Sequence, residues 1–414
     1  MKRELLLSRS PGELWVALVE DGVLVGLRVG RTGSRGQPGE IFLGRVCAIR
    51  PELPAALVDI GLERPGFLSG EDADPQGGIV ELHEGQAAVV QVIKQARADK
   101  AAGLSMRLRR GEGRLTDIDR HRILAAAAAP GPVPRLLEAS AGALELGLAE
   151  FAAWAPDEIV IDDSTALVEA RHWLQRHHPR MVDHLILHRA RNPLFYERGI
   201  SEAVAGALMP RIAIEGGGAL IIEHAAAATL IDVDSGGGAR RRDAEAAALA
   251  TNLAAAVEVA RQVRLRGLAG PIVIDFIGMR RREDRLKVQT VLSAALAGDG
   301  DSKVLGWTRL GHLELVRNRR YAPLAELLFE RGPDAGWRKT SLTIALEALR
   351  ALAREAEAAP SGRAPRLRVN PEIAATLAAE ALAARVELES RLGCTIDVVA
   401  DPACPREAID IAVR

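Results

Sequence analysis

The sequence predicts a multidomain α/β protein, on three observations. Short apolar runs between Gly39 and about Met106, separated by Gly and Pro turns, have the pattern of a small β-barrel. Residues 219 to 277 read as strand, strand, helix and strand, the signature of a parallel crossover unit. From Ser341 onward, helices alternate with short strands as in a separate small α/β domain. The 414 residues leave room for two to four domains, at ~100–200 residues each.

In chain order, LWVALVE and VLVGLRV (Leu14 to Val29) are strands joined at Asp21-Gly22, a strong hairpin signal. Thr32 to Pro38 is a Gly/Ser/Arg-rich connector. The barrel strands are EIFLGRVCAIR, AALVDIGL, RPGFLSG, AAVVQVIKQA and AAGLSMRL, with Asp72 to Gly78 as a loop insertion. Arg107 to Arg122 is locally basic and precedes an alanine run, 125–129, closed by PGPVP. Glu158 to Ile161 is a strand and Thr165 to Arg176 a helix, within an α/β subdomain from about Leu136 to Met209. Ala219 to Glu223 and Thr229 to Val233 are strands. Asp243 caps a helix running to about Arg266, with Leu249, Leu253, Val257 and Ala260 on its buried face; Gly267 and Gly270 stop it. Pro271 to Ile277 is a buried strand, as parallel sheets require. A helix from Glu283 to Ala297 and strands near Val304 and Leu313 follow. Gly332 to Trp337 is a boundary. Ser341 to Glu357 is helical, PSGRAP a linker turn, 367–369 a strand and Pro371 to Leu392 one helix; TIDVVAD and AIDIAV close the domain.

Composition narrows the function. With 54 basic and 55 acidic residues and a net charge of −1, the chain is neither a uniformly basic nucleic-acid coat nor acidic-tailed. A local basic patch is compatible with that average. Three cysteines, Cys47, Cys394 and Cys404, build neither a disulfide framework nor a four-thiolate zinc cage. Aromatics at 3% argue against wide base-stacking platforms. The N-terminal MKRELLLSRSPGE turns polar after Leu7, and no apolar run of ~18 residues is free of charge, so the cytoplasm is the expected location. No P-loop, Gly-x-Ser-x-Gly or dinucleotide fingerprint is present; His184 and His188 are four apart but lack the glutamate of a zincin motif.

The carboxylates carry the sharpest signal. Asp232 ends TLIDVD and Asp275 lies toward the end of IVIDF, with one helix between them. A crossover makes the two strands parallel, and neighbours stand ~4.8 Å apart. Both carboxylates at one sheet end can share a divalent ion, where open α/β sheets bind ligands. Magnesium suits one or two carboxylates plus phosphate. The other reading is that each aspartate caps a loop or pairs with an arginine. Asp234, two residues on, shares a face with Asp232, as a third ligand or an orienting group; Asn252 on the intervening helix is placed to hydrogen-bond the carboxylates or to face solvent. Gly236-Gly237-Gly238 followed by Arg240, Arg241 and Arg242 is either a phosphate-approaching loop or a solvated one. Arg309, Arg317, Arg319 and Arg320 suit phosphates by guanidinium geometry. In the barrel, Phe67 with Arg45, Lys94 and Lys100 is either core or a base-stacking, backbone-gripping group.

Four phrases in order, GEIFLGRV…AALVDIGLERPGFL, GGGALIIEHAAAATLIDVDSG, TNLAAAVEVARQVRLRGLAGPIVIDFIGM and LGHLELVRNRR, resemble the RNase E/G family of bacterial endoribonucleases over most of the chain. The resemblance implies an RNase H-like subdomain in two parts (1–35 and 136–207), interrupted by an OB-fold RNA-binding barrel of the ribosomal S-one class (36–110). A shortened linker (111–135) stands in place of the family's 5′-sensor. A DNase I-like catalytic subdomain (208–331) and a small C-terminal domain (338–414) follow. It implies magnesium-dependent cleavage of single-stranded RNA, leaving a 5′-phosphate and a 3′-hydroxyl. The family's metal-binding aspartates fall on Asp232 and Asp275, its RNA-contacting phenylalanine on Phe67 and a basic residue on Lys100. Arg45, Lys94, Arg309, Arg317 and Arg319 complete the expected RNA contacts.

The departures from the family pattern are specific. Leu57 stands where an RNA-contacting aromatic is usual, Asp234 where an asparagine orients the first aspartate, and Gly278 where a second acid is common. No Arg-Thr phosphate-pocket phrase is found, so 5′-end recognition is not expected. APLAELLFERGPDAG replaces the Cys-Pro-x-Cys zinc-link, so no structural zinc is expected; nor is a scaffold tail. The expected partners are single-stranded RNA and, through the small domain, a second copy of the chain. The rival readings are a non-catalytic RNA-binding protein of the same fold and, third, a metal-dependent DNase or phosphodiesterase.

Overall fold

The computed structural model describes residues 2–33, 35–50, 52–73, 82–96, 100–110, 113–190, 192–225, 227–236, 244–319, 321–332, 336–358 and 365–413. They fall into two compact units. One comprises Met1–Gly33, Ala143–Asn318 and Pro323–Arg414; the other comprises Ser34–Gly142 with Arg319–Ala322.

The first unit opens with β1 (Arg3–Ser10), β2 (Glu13–Glu20) and β3 (Val23–Arg31), an antiparallel meander. Its second turn is Asp21-Gly22, both with positive φ (46° and 80°), the geometry whose twist matches paired strands.

The second unit follows. β4 (Ile41–Arg50), β5 (Ala55–Asp59), β6 (Gly66–Ser69), β7 (Ala87–Lys94) and β8 (Gly103–Ser105) pair in the order β4-β5-β6-β8-β7, and β4 also pairs with β7. The result is a closed five-strand barrel of OB-like type, filled by Phe42, Val46, Val58, Leu68, Val90, Val92 and Leu104. A Cβ at Gly44 would stand 2.6 Å from Val58 Cγ1 and 2.8 Å from the Asp59 carbonyl oxygen, so only glycine fits that wall. The basic segment forms a short ribbon, β9 (Arg109–Arg110) with β10 (Gly113–Arg114), then helix α1 (Asp117–Ala128), whose N-cap Thr116 accepts from the Asp119 N–H. β11 (Arg135–Glu138) pairs antiparallel with β4. Residues 136–138, placed by the sequence at the start of a returning subdomain, are thus strand partners of the barrel.

Back in the first unit, α2 (Ala143–Phe151), β12 (Glu158–Ile161), α3 (Ser164–His177) and β13 (Leu185–Leu187) complete a five-stranded sheet, β13-β12-β1-β2-β3. β12 and β13 run parallel to β1. One face of this sheet packs Leu5, Leu7 and Val16 against Leu148, Phe151 and Leu174; the other packs Leu6, Ala17 and Val160 against Leu194 and Ile200, from α4 (Leu194–Glu197) and α5 (Ile200–Ala207). Burial on both sides explains why Leu5-Leu6-Leu7 does not alternate with polar residues.

A six-stranded sheet comes next: β14 (Arg211–Ala213), β15 (Ala219–His224), β16 (Thr229–Asp234), β17 (Gly270–Asp275), β18 (Ser302–Trp307) and β19 (Leu313–Arg317), ordered β14-β15-β16-β17-β19-β18. β16 and β17 are parallel, joined across α6 (Ala244–Leu265); the other pairs are antiparallel. α6 and α7 (Arg282–Ala295) cover one face, over Ile222, Ile231, Ile272, Ile274, Leu313 and Leu315. Of the predicted stripe of α6, Ala260 is buried and Leu249 and Leu253 are partly buried against the core, but Val257 is not. Val257 is 55% exposed, and the inward positions are Ala248, Asn252, Ala255, Ala256, Val259, Ala260 and Val263. Alanines let the helix lie close to its neighbours, so small residues rather than leucines mark the seam.

α8 (Leu324–Leu328) leads to the hairpin β20 (Phe329–Arg331) with β21 (Trp337–Lys339), where the sequence suggested only a boundary. α9 (Ser341–Ala358), β22 (Pro365–Val369), α10 (Pro371–Ala378), α11 (Leu382–Leu392), β23 (Asp397–Ala400) and β24 (Asp410–Val413) form the small terminal sheet and its helices. The single helix predicted over 371–392 is two, broken where Ala379 adopts φ −121°, ψ −89°. No helix among the described residues is long and apolar enough to cross a membrane.

Candidate active site and nucleic-acid surface

β16 and β17 align Asp232 with Asp275 in one parallel register. Alternation along β16 buries Ile231 and Val233 and leaves Asp232 exposed; β17 likewise buries Ile272 and Ile274 and exposes Asp275. Both carboxylates therefore stand on the sheet face opposite α6 and α7, one strand spacing apart, ~4.8 Å between backbones. Among the described residues nothing hydrogen-bonds the Asp232 carboxylate, and the nearest nitrogen recorded beside the Asp275 carboxylate is His312 Nε2, 3.8 Å from Oδ1. That distance is too long for a hydrogen bond. Among the described residues neither carboxylate caps a loop or pairs with an arginine. Two uncommitted, hard oxygen donors at one open sheet end suit a magnesium ion that keeps several waters. No three His, Cys, Asp or Glu side chains among the described residues form a preassembled metal cluster.

Asp234, the candidate third ligand or orienting group, is engaged at both carboxylate oxygens. Its Oδ1 accepts from the Gly236 N–H at 3.0 Å and its Oδ2 from Arg211 Nη2 at 2.7 Å. The Gly236 amide, then the Arg211 guanidinium, hold this carboxyl below the usual range. The extra charge at a position where the family pattern has asparagine is thus paired off to β14.

Asn252 neither faces solvent nor touches the carboxylates. It is fully buried on α6, donates Nδ2 to the Ile277 carbonyl (2.8 Å) and accepts the Ile277 N–H on Oδ1 (3.0 Å). It therefore fixes the backbone two residues beyond Asp275, where the chain leaves the sheet.

The β18–β19 turn meets this end of the sheet, because Leu313 pairs with Ile274. The turn is locked by the Thr308 N–H on the His312 carbonyl (2.8 Å) and by the His312 N–H on Thr308 Oγ1 (3.1 Å), with Gly311 at φ +94°. Arg309 is exposed on it. Arg317 is elsewhere. It pairs with Gly270 at the opposite end of β17, and its guanidinium is bound to Asp299 (2.8 Å) and the Leu268 carbonyl. Arg317, expected to contact RNA, is engaged here in an ion pair with Asp299 in which both side chains are largely buried. Arg319 groups with the barrel unit. Arg320, Gly237, Gly238 and Arg240 to Arg242 lie outside the described residues.

In the barrel, Leu57 pairs with Phe67, Phe67 with Gly103, and Gly103 with Lys94. Cross-strand partners share a face, so these four form one row on the outer wall. Phe67 is 42% exposed rather than core. Arg45 pairs with Asp59, two residues from Leu57 on the same face, and donates to the Gly85 carbonyl. Lys94 and Lys100 are exposed. The aliphatic stem of Lys94 lies over Gly103, 3.1–3.5 Å from where a Cβ would stand, next to the Phe67 ring in the row.

His312 and Arg211 were not singled out from the sequence. His312 lies in the phrase LGHLEL, but its place beside Asp275 depends on β19, not β18, being the neighbour of β17.

The Ribonuclease E/G family model matches residues 114–320, half of the chain. Ribonuclease G of Escherichia coli (strain K12) is 26% identical over the whole of both chains. Ribonuclease G of Haemophilus influenzae is 27% identical, over 85% of this chain and 87% of that protein. Ribonuclease E of Haemophilus influenzae is 26% identical, over 86% of this chain and 46% of its own length.

Proposed function

Because the chain belongs to the Ribonuclease E/G family, we propose that it is an endoribonuclease that hydrolyses internal phosphodiester bonds of single-stranded RNA in RNA processing or decay in the cytoplasm, with magnesium held by Asp232 and Asp275. The observation that carries this reading is the in-register, exposed and uncommitted pair of carboxylates on β16 and β17. A divalent ion bound there supplies an activated water and neutralises charge building on the scissile phosphate. The protein's own groups do the rest. Asn252 holds the Ile277 backbone and so the exit of β17; Arg309 offers a guanidinium to a phosphate at the same sheet end. Phe67 stacks a base, while Lys94, Lys100 and Arg45 track the backbone charge.

The strand order β13-β12-β1-β2-β3, three antiparallel strands followed by two parallel ones, supports the RNase H-like reading of the first sheet. The mixed sheet with both helices on one face supports the DNase I-like reading of the third. Pairing of two copies through the small domain belongs to the same proposal.

The test is a gel assay on labelled single-stranded RNA of mixed sequence, with magnesium, with EDTA, and with Asp232→Asn and Asp275→Asn. Discrete magnesium-dependent internal cuts, absent in both folded variants, are expected. Full cutting by either variant would sink the site assignment. RNA that is retarded but intact under every condition would make the chain an RNA-binding relative that does not cut.

A further inference from the structure

We propose that the cleft where α6 and the C-terminal end of α7 meet Trp154 and the β1–β3 meander binds a small organic phosphate through Arg264. The cleft has a volume of about 510 Å³, within the ~300–1,000 Å³ of small-ligand pockets. Its lining residues all belong to the first unit. Arg264 stands in the last turn of α6, just before β17 begins at Gly270. That is the end of β17 opposite Asp275, so the cleft is separate from the carboxylate pair.

Charge is the first observation. Three guanidiniums line the cleft, and two are matched. Arg3 Nε donates to Glu20 Oε1 (2.8 Å) and its Nη1 to the Trp154 carbonyl (2.9 Å). Arg261 donates to both oxygens of Glu258 (2.8 and 2.5 Å) and to the Leu24 carbonyl (2.8 Å). Arg264 has no ion pair among the described residues. Its Nη1 donates to the Ala295 carbonyl (2.6 Å), its Nε is buried without a partner, and no group among the described residues hydrogen-bonds its Nη2. The carboxylates that act on it from a distance are committed elsewhere: Glu20 to Arg3, and Asp299 to Arg317 and Ser302. Burial outweighs both of them and pulls the Arg264 pKa below the ordinary arginine value. The guanidinium stays protonated. The Trp154 ring, 5.3 Å from it, offsets part of that charge. The rest is unanswered by the chain.

The walls are the second observation. Ala294 and Gly298 leave the space open, and a Cβ at Gly298 would stand 2.7 Å from Trp154 Cζ2. Val257, 55% exposed on α6, lines the cleft and offers apolar contact there. An oxyanion head on a compact, partly apolar body fits both observations. Guanidinium matches phosphate by its forked geometry, and the further guanidiniums of Arg3 and Arg261 in the same lining favour phosphate over the single charge of a carboxylate.

The experiment titrates the full chain with AMP by calorimetry in EDTA, with adenosine as the uncharged match. Wild type, Arg264→Met and Ala294→Phe are compared, with folding checked by circular dichroism. Ala294 is exposed on α7, so a phenylalanine there obstructs the cleft while leaving Arg264 in place. AMP is expected to bind wild type, and adenosine about tenfold or more weaker. Each variant should weaken AMP binding about tenfold or more; if Arg264→Met does not fold, Ala294→Phe decides. No binding of AMP to wild type, equal affinity for adenosine, or undiminished AMP affinity in either folded variant overturns the proposal. Neither metal nor RNA enters the measurement, so that failure leaves the carboxylate pair standing.

Discussion

Asn252, itself fully buried, grips the backbone of Ile277 at both of its polar groups. The contact ties the middle of α6 to the point where β17 leaves the sheet, two residues past Asp275. Asn252→Ala leaves the partly buried N–H and carbonyl of Ile277 without their partner, at up to about 1–3 kcal/mol each. Urea unfolding should show a loss of that order, and cleavage should fall further than the folded fraction does, because Asp275 loses its anchor. Activity that merely tracks the folded fraction would reduce Asn252 to a stability residue.

Arg317→Met should behave in the opposite way. The side chain is 12% exposed and its partner Asp299 7%. Burial pushes the Asp299 carboxyl up, but the Arg317 hydrogen bonds and charge, with Ser302, outweigh it and hold it below the usual range. Removing the cation leaves a buried carboxylate unpaired, at about 3 kcal/mol. The melting temperature should drop while the RNA dissociation constant of the folded protein stays put; weaker RNA binding with unchanged stability would restore the phosphate role.

Phe67→Ala and Leu57→Phe should move RNA affinity in opposite directions. Phe67 is partly exposed on the barrel wall and Leu57 is its cross-strand partner. Loss of one stacked base is about 1–3 kcal/mol, so Phe67→Ala should weaken binding of a short single-stranded RNA about tenfold or more. A second ring at position 57 should tighten it. Fluorescence anisotropy on both variants decides, and indifference to both would remove the row from the RNA path.

Acid stability should carry the mark of Glu372. Hydrogen bonds from Arg406, then from Ser341, bring its pKa from 4.5 to about 2. The unfolded chain therefore binds more protons between those values, and stability rises with pH across the window. The contribution is complete above about pH 4.5 and lost as pH falls through about 2. Glu372→Gln should be less stable than wild type near neutrality, with the gap in urea midpoint closing over that window; a gap constant with pH would remove the linkage.

How much of this was legible in sequence depends on which strands had to be known as neighbours. The crossover of residues 229–275 forces two strands to be parallel, so the shared sheet end of Asp232 and Asp275 followed from local pattern alone. The position of His312 did not, because the sheet places β19 next to β17 and sends β18 to the edge. Nearest-in-sequence reasoning pairs β17 with β18 instead. Asn252 drew notice as a polar residue between the two aspartates, yet its partner is backbone, which leaves no trace in side-chain spacing. The seam of α6 escaped because alanine marks close approach as well as helix propensity. The break between α10 and α11 falls in an Ala-Glu-Ala stretch with neither Gly nor Pro to announce it.

β17 has a parallel neighbour on one side and an antiparallel neighbour on the other. The two sides of the site therefore answer to different constraints during sequence change. The Asp232 side is delivered by a crossover containing a 22-residue helix, so displacing it means rebuilding a core. The His312 side is delivered by the five-residue turn from Thr308 to His312, where one substitution swaps the chemistry offered to Asp275 and leaves every strand in place. The neighbourhood of Asp275 can therefore change on one side while the paired acids on the other stay fixed.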